Sequence, residues 1–289
     1  KRAENPFPCD YAPDEDVSPL LEPDVAKFYM QLIGILRWMC ELGRIDICTE
    51  VSMLSSYSAM PPEGHLEAAL HVFSYLKSKS NSRLIFDPME PDLGDSNFVE
   101  CDWSDFYPGA SEALPPNAPK PLGKGVTLRM FVDSDHAGDK VSRRSRTGFV
   151  IFLNYGMIDW LSKKQSTVET SVFGAEFCAM KHGIENLRGI RYKLRMMGVP
   201  VKGASYVYGD NMSVVTNTSK PESTLKKKSN SICYHAVREA VAMGEALVAH
   251  IPTKKNLADL FTKVLYGQTR RFLVSRMLWD VFPGEDVPM

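Results

Sequence analysis

Two short apolar runs in this 289-residue chain each end on an aspartate: Leu128, Met130, Phe131 and Val132 lead to Asp133, and Tyr206, Val207, Tyr208 and Gly209 lead to Asp210. Runs of this length and composition read as buried strands, which puts each carboxylate at the C-terminal edge of a sheet and not on an ordinary surface. Two further acids keep apolar company. Glu176 lies among Val172, Phe173, Ala175 and Met180 in a helical pattern, and Asp259 among Leu257, Ala258, Leu260 and Phe261 in a short helical stretch. Carboxylates gathered from such places repel one another unless cations neutralise them. Oxygen-only ligation, with no Cys or His pairs nearby, selects magnesium or manganese over zinc. Singly, each acid has a plain structural role open to it: Asp210 before Asn211 as a helix cap, Asp133 as a turn cap, Asp259 at a helix start. Four such acids in the order Asp, Glu, Asp, Asp are better explained as one site.

The order of elements supports that convergence. From residue 126 onward, strands are predicted at 127–133, 147–153 and 157–161, the last two joined by a tight turn at Asn154, Tyr155 and Gly156. A long helix follows over 168–197, with Gly183 or Gly189 as a point of interruption. Then come a strand at 206–209, a short helix from Asn211, a polar loop over 218–231, a helix over 232–243, a strand at 247–251 and a helix over 256–265. The fold class is therefore α/β: a mixed five-stranded sheet, three antiparallel strands and then two further strands, with helices on both faces. In such a sheet Asp133 and Asp210 lie side by side, and Glu176 and Asp259 lean over the same rim. Four carboxylates there suit two ions about 3.5–4 Å apart, the spacing used for phosphodiester cleavage.

The first half reads differently. Residues 1–24, rich in Pro and acid, form an extended segment, and residues 25–86 a small helical unit with a break at Gly43. Residues 87–125 carry Pro88, Pro91, Pro108, Pro115, Pro116, Pro119 and Pro121 and read as a linker, with a short strand over 98–103. The globular unit of the second half spans 126–266, and 267–289 is a tail with an amphipathic helix over 268–282, ending before Pro283. Charge divides along the same line. Up to Lys120 the chain holds 9 Lys and Arg against 20 Asp and Glu, leaving 25 against 15 beyond it, so the near-neutral total of −1 conceals a basic second half suited to a polyanion. Six scattered cysteines without a C-x-x-C pair read as reduced thiols of an intracellular protein. No run of 18 apolar residues and no charged-then-apolar N-terminal stretch occurs, so neither a membrane span nor a secretion signal is expected.

Seven ordered blocks together resemble the reverse transcriptase–ribonuclease H part of Copia-type LTR retrotransposon polyproteins. They are Phe131-Val-Asp-Ser-Asp-His-Ala-Gly-Asp139, Arg143-Arg-Ser-Arg-Thr-Gly148, Trp160-Leu-Ser-Lys-Lys-Gln165, Gly174-Ala-Glu176, Tyr208-Gly-Asp-Asn211, Tyr234-His235 with Arg238-Glu239, and Leu257-Ala-Asp-Leu-Phe-Thr-Lys263. A weaker match at Gly34, Arg44, Asp46 and Tyr75-Leu-Lys77 resembles the stretch that joins polymerase to ribonuclease H in that family. The resemblance implies a ribonuclease H-like fold and hydrolysis of the RNA strand of RNA–DNA hybrids. It places Asp133, Glu176, Asp210 and Asp259 at the family's metal-binding acids, with two magnesium or manganese ions as cofactors. It also implies the polymerase part of the same polyprotein as a partner, and a cytoplasmic or virus-like-particle location. Arg143, Arg144, Arg146, Lys163, Lys164 and Asn211 flank the acids in sequence and are the candidates for nucleic-acid contact.

The chain also departs from the family pattern. Lys228-Ser229-Asn230-Ser231 replaces the Lys-His-Ile-Asp often found ahead of the Tyr-His pair, and residues 252–256 lack the His that related ribonucleases H use for product release. His250 and His235 stand as substitutes for that role. No Asp-Asp dipeptide occurs, so the paired-aspartate turn of a polymerase is missing from this sequence. The competing expectation is a catalytically inactive nucleic-acid-binding or polymerase-partner module, a remnant of a retrotransposon.

Overall fold

Pro23, which needs no hydrogen bond to its missing N–H, opens helix α1 (Pro23–Glu41), and Gly43 at φ 108° breaks the chain out of it. The computed structural model describes residues 3–94, 97–225, 228–279 and 281–282. Two more helices follow, α2 (Cys48–Ser55) and α3 (Glu63–Ser78), and then the two-residue strand β1 (Arg83–Leu84). The large sheet is built from β2 (Leu128–Asp135), β3 (Arg146–Leu153), β4 (Gly156–Lys164), β5 (Ser205–Gly209) and β6 (Ala246–His250). Its order is β4-β3-β2-β5-β6, with β2, β3 and β4 antiparallel and β5 and β6 running parallel to β2. This is the expected mixed sheet, three antiparallel strands and then two further strands.

Alternation along β2 sends Met130 and Val132 to one face and Phe131 to the other. On the first face they meet Phe177, Ile184 and Leu187 of helix α4 (Val172–Met196) and Tyr234 and Val237 of helix α6 (Ser231–Ala242). Between these two helices in sequence lies α5 (Met212–Ser219). Helix α4 passes Gly183 and Gly189 without interruption. A Cβ on Gly183 would meet the Met130 sulfur at 2.7 Å, so glycine there lets the helix lie close on β2.

Phe131, Phe152 and Tyr208 on the second face belong to one apolar cluster with Tyr29, Leu36, Val51, Leu54 and Tyr75 of the helical unit and Leu260 and Phe261 of a 3-10 helix (Leu257–Phe261). Polar contacts cross the same junction: Thr49 donates to the Leu260 carbonyl at 2.6 Å and Ser52 to that of Ser162 at 2.8 Å. The helices therefore serve as a layer of the sheet's packing. No helix among the described residues is long and apolar enough to cross a membrane.

Two expected elements differ. No strand forms over 98–103, because Phe98 and Trp103 are drawn to opposite faces: Phe98 packs edge-on against Tyr206 and Tyr208, and Trp103 joins the α4–α6 layer beneath the Arg238 guanidinium. The helix expected over 268–282 stops early. Helix α7 spans Gly267–Ser275, and Leu278–Trp279 forms a strand, β7, paired antiparallel with β1, where burying Met277 and Leu278 outweighs continuing the helix. Pro283 lies outside the described residues.

Candidate metal centre

Parallel pairing sets Phe131 opposite Tyr208, so two residues further on Asp133 and Asp210 come to the same end of the sheet. Glu176 reaches that end from the first turns of α4, whose start is fixed twice. Ser171 caps it by accepting from the Gly174 N–H, and buried Gln165, at the end of β4, donates to Thr147 at 3.1 Å and to the Ala175 carbonyl at 3.0 Å. Carboxylate oxygens of Asp133, Glu176 and Asp210 all lie within 4.8 Å of one another. Three hard oxygen donors on three separate elements suit a magnesium-like ion.

Asp259 arrives on the 3-10 helix, which Asn256 pins to the sheet. The fully buried Asn256 side chain accepts from the Ala258 N–H at 3.1 Å and donates to the Val132 carbonyl at 3.0 Å, immediately before Asp133. Asp259 meets the cluster at Asp133, by direct side-chain contact and through Lys263, whose Nζ lies 2.7 Å from Asp259 Oδ1 and 3.1 Å from Asp133 Oδ2. The Thr262 hydroxyl donates to the same Asp133 oxygen. The four acids expected to converge are thus three in mutual reach and a fourth that meets Asp133, with a lysine paired to both.

Gly148, directly across the ladder from Asp133, makes room for this turn. A Cβ there would meet Thr262 Cγ2 at 2.6 Å, Phe261 Cβ at 2.8 Å and the Ala258 carbonyl at 3.0 Å. Gly148→Ala is expected to push the turn off β3 and to move Asp259 away from Asp133. Overpacking of this kind costs about 1–3 kcal/mol of stability. An unfolding free energy equal to wild type in urea denaturation would show that the turn tolerates the methyl.

Electrostatics within the cluster are those of crowded acids. Burial, then Asp133 and Asp210, push the Glu176 carboxyl up to about 9. Burial and Asp133 push Asp259 up to about 7 against the pull of Lys263, and Asp210 is raised by burial and by Asp133. Asp135, on the same strand, is pushed up to about 6 by burial. Glu176 and Asp259 hold protons more tightly folded than unfolded. Their stabilising contribution is therefore complete below the ordinary carboxylate values of 3.8–4.5 and disappears as pH climbs through about 7 and about 9. The melting temperature of the metal-free protein is expected to fall between pH 5 and pH 9, and millimolar magnesium to restore it most at the alkaline end. Thermal melts at both pH values, with and without the ion, check this; a metal-free midpoint that rises with pH contradicts it.

Around the acids, Arg143, Arg144 and Lys163 are exposed, and Arg143 sits at φ 54° in the turn before β3. Lys164 is paired with Asp139 at 2.8 Å. Arg146 points inward: it is 6% exposed and its guanidinium donates to Ser52 at 2.5 Å, so it holds the helical layer to the sheet and does not face a phosphate. Asn211 caps α5, accepting from the Ser213 and Val214 N–H groups. His250, exposed at the end of β6 and in register with Gly209, shares the rim with Asp210. His235 is on α6, its Nδ1 3.0 Å from the Tyr107 hydroxyl. Sequence reasoning assigned no role to Gly148, Gln165, Asn256, Thr262 or Lys263. The one local signal was the four-residue spacing of Asp259 and Lys263, which puts an acid and a base on one side of a helical turn.

No protein-family model matches the chain. It is 26% identical over 237 residues to the retrovirus-related Pol polyprotein from transposon RE1 of Arabidopsis thaliana, covering 82% of this chain and 14% of that one. It is 27% identical over 237 residues to the Pol polyprotein from transposon TNT 1-94 of Nicotiana tabacum, covering 82% and 15%. Among solved structures, LC11-RNase H1 in complex with an RNA/DNA hybrid is 18% identical with a TM-score of 0.39, covering 47% of this chain and 94% of that one. The chain spans about one-seventh of the curated polyproteins it matches. The chain is thus similar to retrovirus-related Pol polyproteins of plant transposons.

Proposed function

We propose that the chain is a metal-dependent endonuclease that hydrolyses the RNA strand of RNA–DNA hybrids. The carrying observation is the meeting of Asp133, Glu176 and Asp210 oxygens within 4.8 Å at the end of a ribonuclease H-like sheet. These three would hold one ion, and Asp133 with Asp259 a second. Magnesium or manganese bound there supplies an activated water and neutralises charge on the scissile phosphate.

The protein's own groups set the geometry. Gln165 and Asn256 fix the two elements that bring in Glu176 and Asp259, so the carboxylates are placed before substrate arrives. Glu176 must release its proton to bind an ion, which ties ion uptake to pH. Arg143, Arg144 and Lys163 hold phosphates of the hybrid, with 2′-hydroxyl contacts across a wide minor groove giving the preference for RNA. His250, on the rim beside Asp210, is the candidate to assist product release. The natural partner would be the polymerase part of the same polyprotein, in the cytoplasm or a virus-like particle.

The test is a cleavage assay on hybrid, duplex RNA and duplex DNA across a magnesium and manganese titration. Cutting confined to the RNA strand of the hybrid is the expected result; equal cutting of all three refutes hybrid selectivity. The ammonium of Lys263 among the acids favours one other reading, an inert nucleic-acid-binding module. Salt-sensitive hybrid binding without cutting at millimolar metal would establish that reading instead.

A further inference from the structure

Lys263 takes no part in the nuclease reading, yet it touches two of that reading's four acids. Its ammonium bridges Asp133 Oδ2 at 3.1 Å and Asp259 Oδ1 at 2.7 Å, while its own backbone N–H donates to the Asp259 carbonyl at 3.1 Å. One cation between two carboxylates from different elements is the arrangement an ion shared by Asp133 and Asp259 would need. An ammonium and a divalent ion cannot occupy that position together, because both require the same oxygens and repel each other at contact distance. Among the described residues Lys263 forms no ion pair with Glu176 or Asp210, and these two carboxylates meet an Asp133 oxygen within 4.8 Å.

The side chain is also partly open to water. It is 37% exposed, whereas the Asp133 side chain is 2% and that of Asp259 9% exposed. A lysine ammonium on a flexible four-carbon stem can move into water, where the acids cannot follow. Opposite charge at this distance still holds it strongly in the absence of a competitor.

Resting on the metal-centre reading above, we propose that Lys263 is a tethered counter-cation for the second ion position. The first divalent ion enters at Asp133, Glu176 and Asp210 without disturbing it, and the second binds only by displacing the ammonium from Asp133 and Asp259. Ion binding is therefore sequential and unequal, with the weak step set by a residue of the chain itself.

The experiment is calorimetric titration of manganese alone into the full chain, without nucleic acid, for wild type, Lys263→Met and Lys263→Arg, with thermal melts of each metal-free protein. Wild type is expected to bind one ion tightly and one weakly. Lys263→Met is expected to tighten the second step by about tenfold or more relative to the first, the effect of removing a full charge in direct contact with its ligands. The same variant should melt lower without metal and recover with it. Lys263→Arg, which keeps the charge, should keep the weak second step and supplies the comparison if the Met variant folds poorly. Equal tightening of both steps in Lys263→Met would reduce Lys263 to a diffuse charge and overturn the proposal, as would an unchanged second step. Absence of any bound ion in the wild type would instead overturn the metal-centre reading itself.

Discussion

Asp210→Asn is expected to abolish magnesium-dependent cutting of the RNA strand while leaving the fold intact. The rate should fall by on the order of 10²–10³-fold or more, the scale of removing one preorganised electrostatic group from a reaction centre. Structure should survive because Asp210 is a carboxylate held under strain from its own kind: burial and Asp133 both raise its proton affinity. A neutral amide of the same shape relieves that repulsion, so the metal-free variant should melt no lower than wild type. Cleavage rates and circular dichroism of the same preparation decide the matter. Wild-type turnover would remove Asp210 from the site, and loss of structure would leave Asp133→Asn as the variant that tests the cluster.

Arg270→Met is expected to be the most destabilising single change away from the acids. Arg270 on α7 lies 3.2 Å from Glu50 on α2, and both side chains are only 2% exposed. Its guanidinium also donates to the Asp46 carbonyl and sits 5.5 Å from the centre of the Tyr75 ring. Removing it strands a carboxylate that burial already pushes toward its neutral form. Breaking a buried pair from one side costs about 3–5 kcal/mol, more than most core truncations at a single methylene. Urea denaturation should show a loss of that size, and Arg270→Met with Glu50→Gln should recover a large part of it. A double variant no more stable than the single one would mean that packing of the arginine stem, not the orphaned charge, dominates.

Asp133 and Asp210 were legible because each closes a run whose composition already fixes a strand, and the period of two then fixes the rim on which the carboxylate stands. Gly43 was legible for a similar local reason, since a helix that meets a left-handed residue must stop. Lys263, Arg146 and Leu278 were not. Lys263 acquires its meaning from Asp133, 130 positions away in sequence, and only the turn pinned by Asn256 brings the two together. Arg146 has the composition of a phosphate contact and the position of one, but Ser52 of the helical layer claims it. Leu278 continues a helical period and yet pairs with Arg83–Leu84, because a two-residue ladder leaves no periodic trace. Local pattern specifies an element; which charges it meets is decided by the packing of distant segments.

The helical stretch and the sheet's second face sharing one set of buried side chains has a consequence for how this sequence can change. Tyr29, Leu36 and Leu54 are fully enclosed in the same cluster as Phe131, Phe152 and Tyr208. Drift in the front third of the chain is thereby felt by strands that carry the acids, and selection on the carboxylate cluster reaches residues far from it. The two stretches must evolve as one inheritance, and a lineage that sheds the first exposes the oily underside of the second.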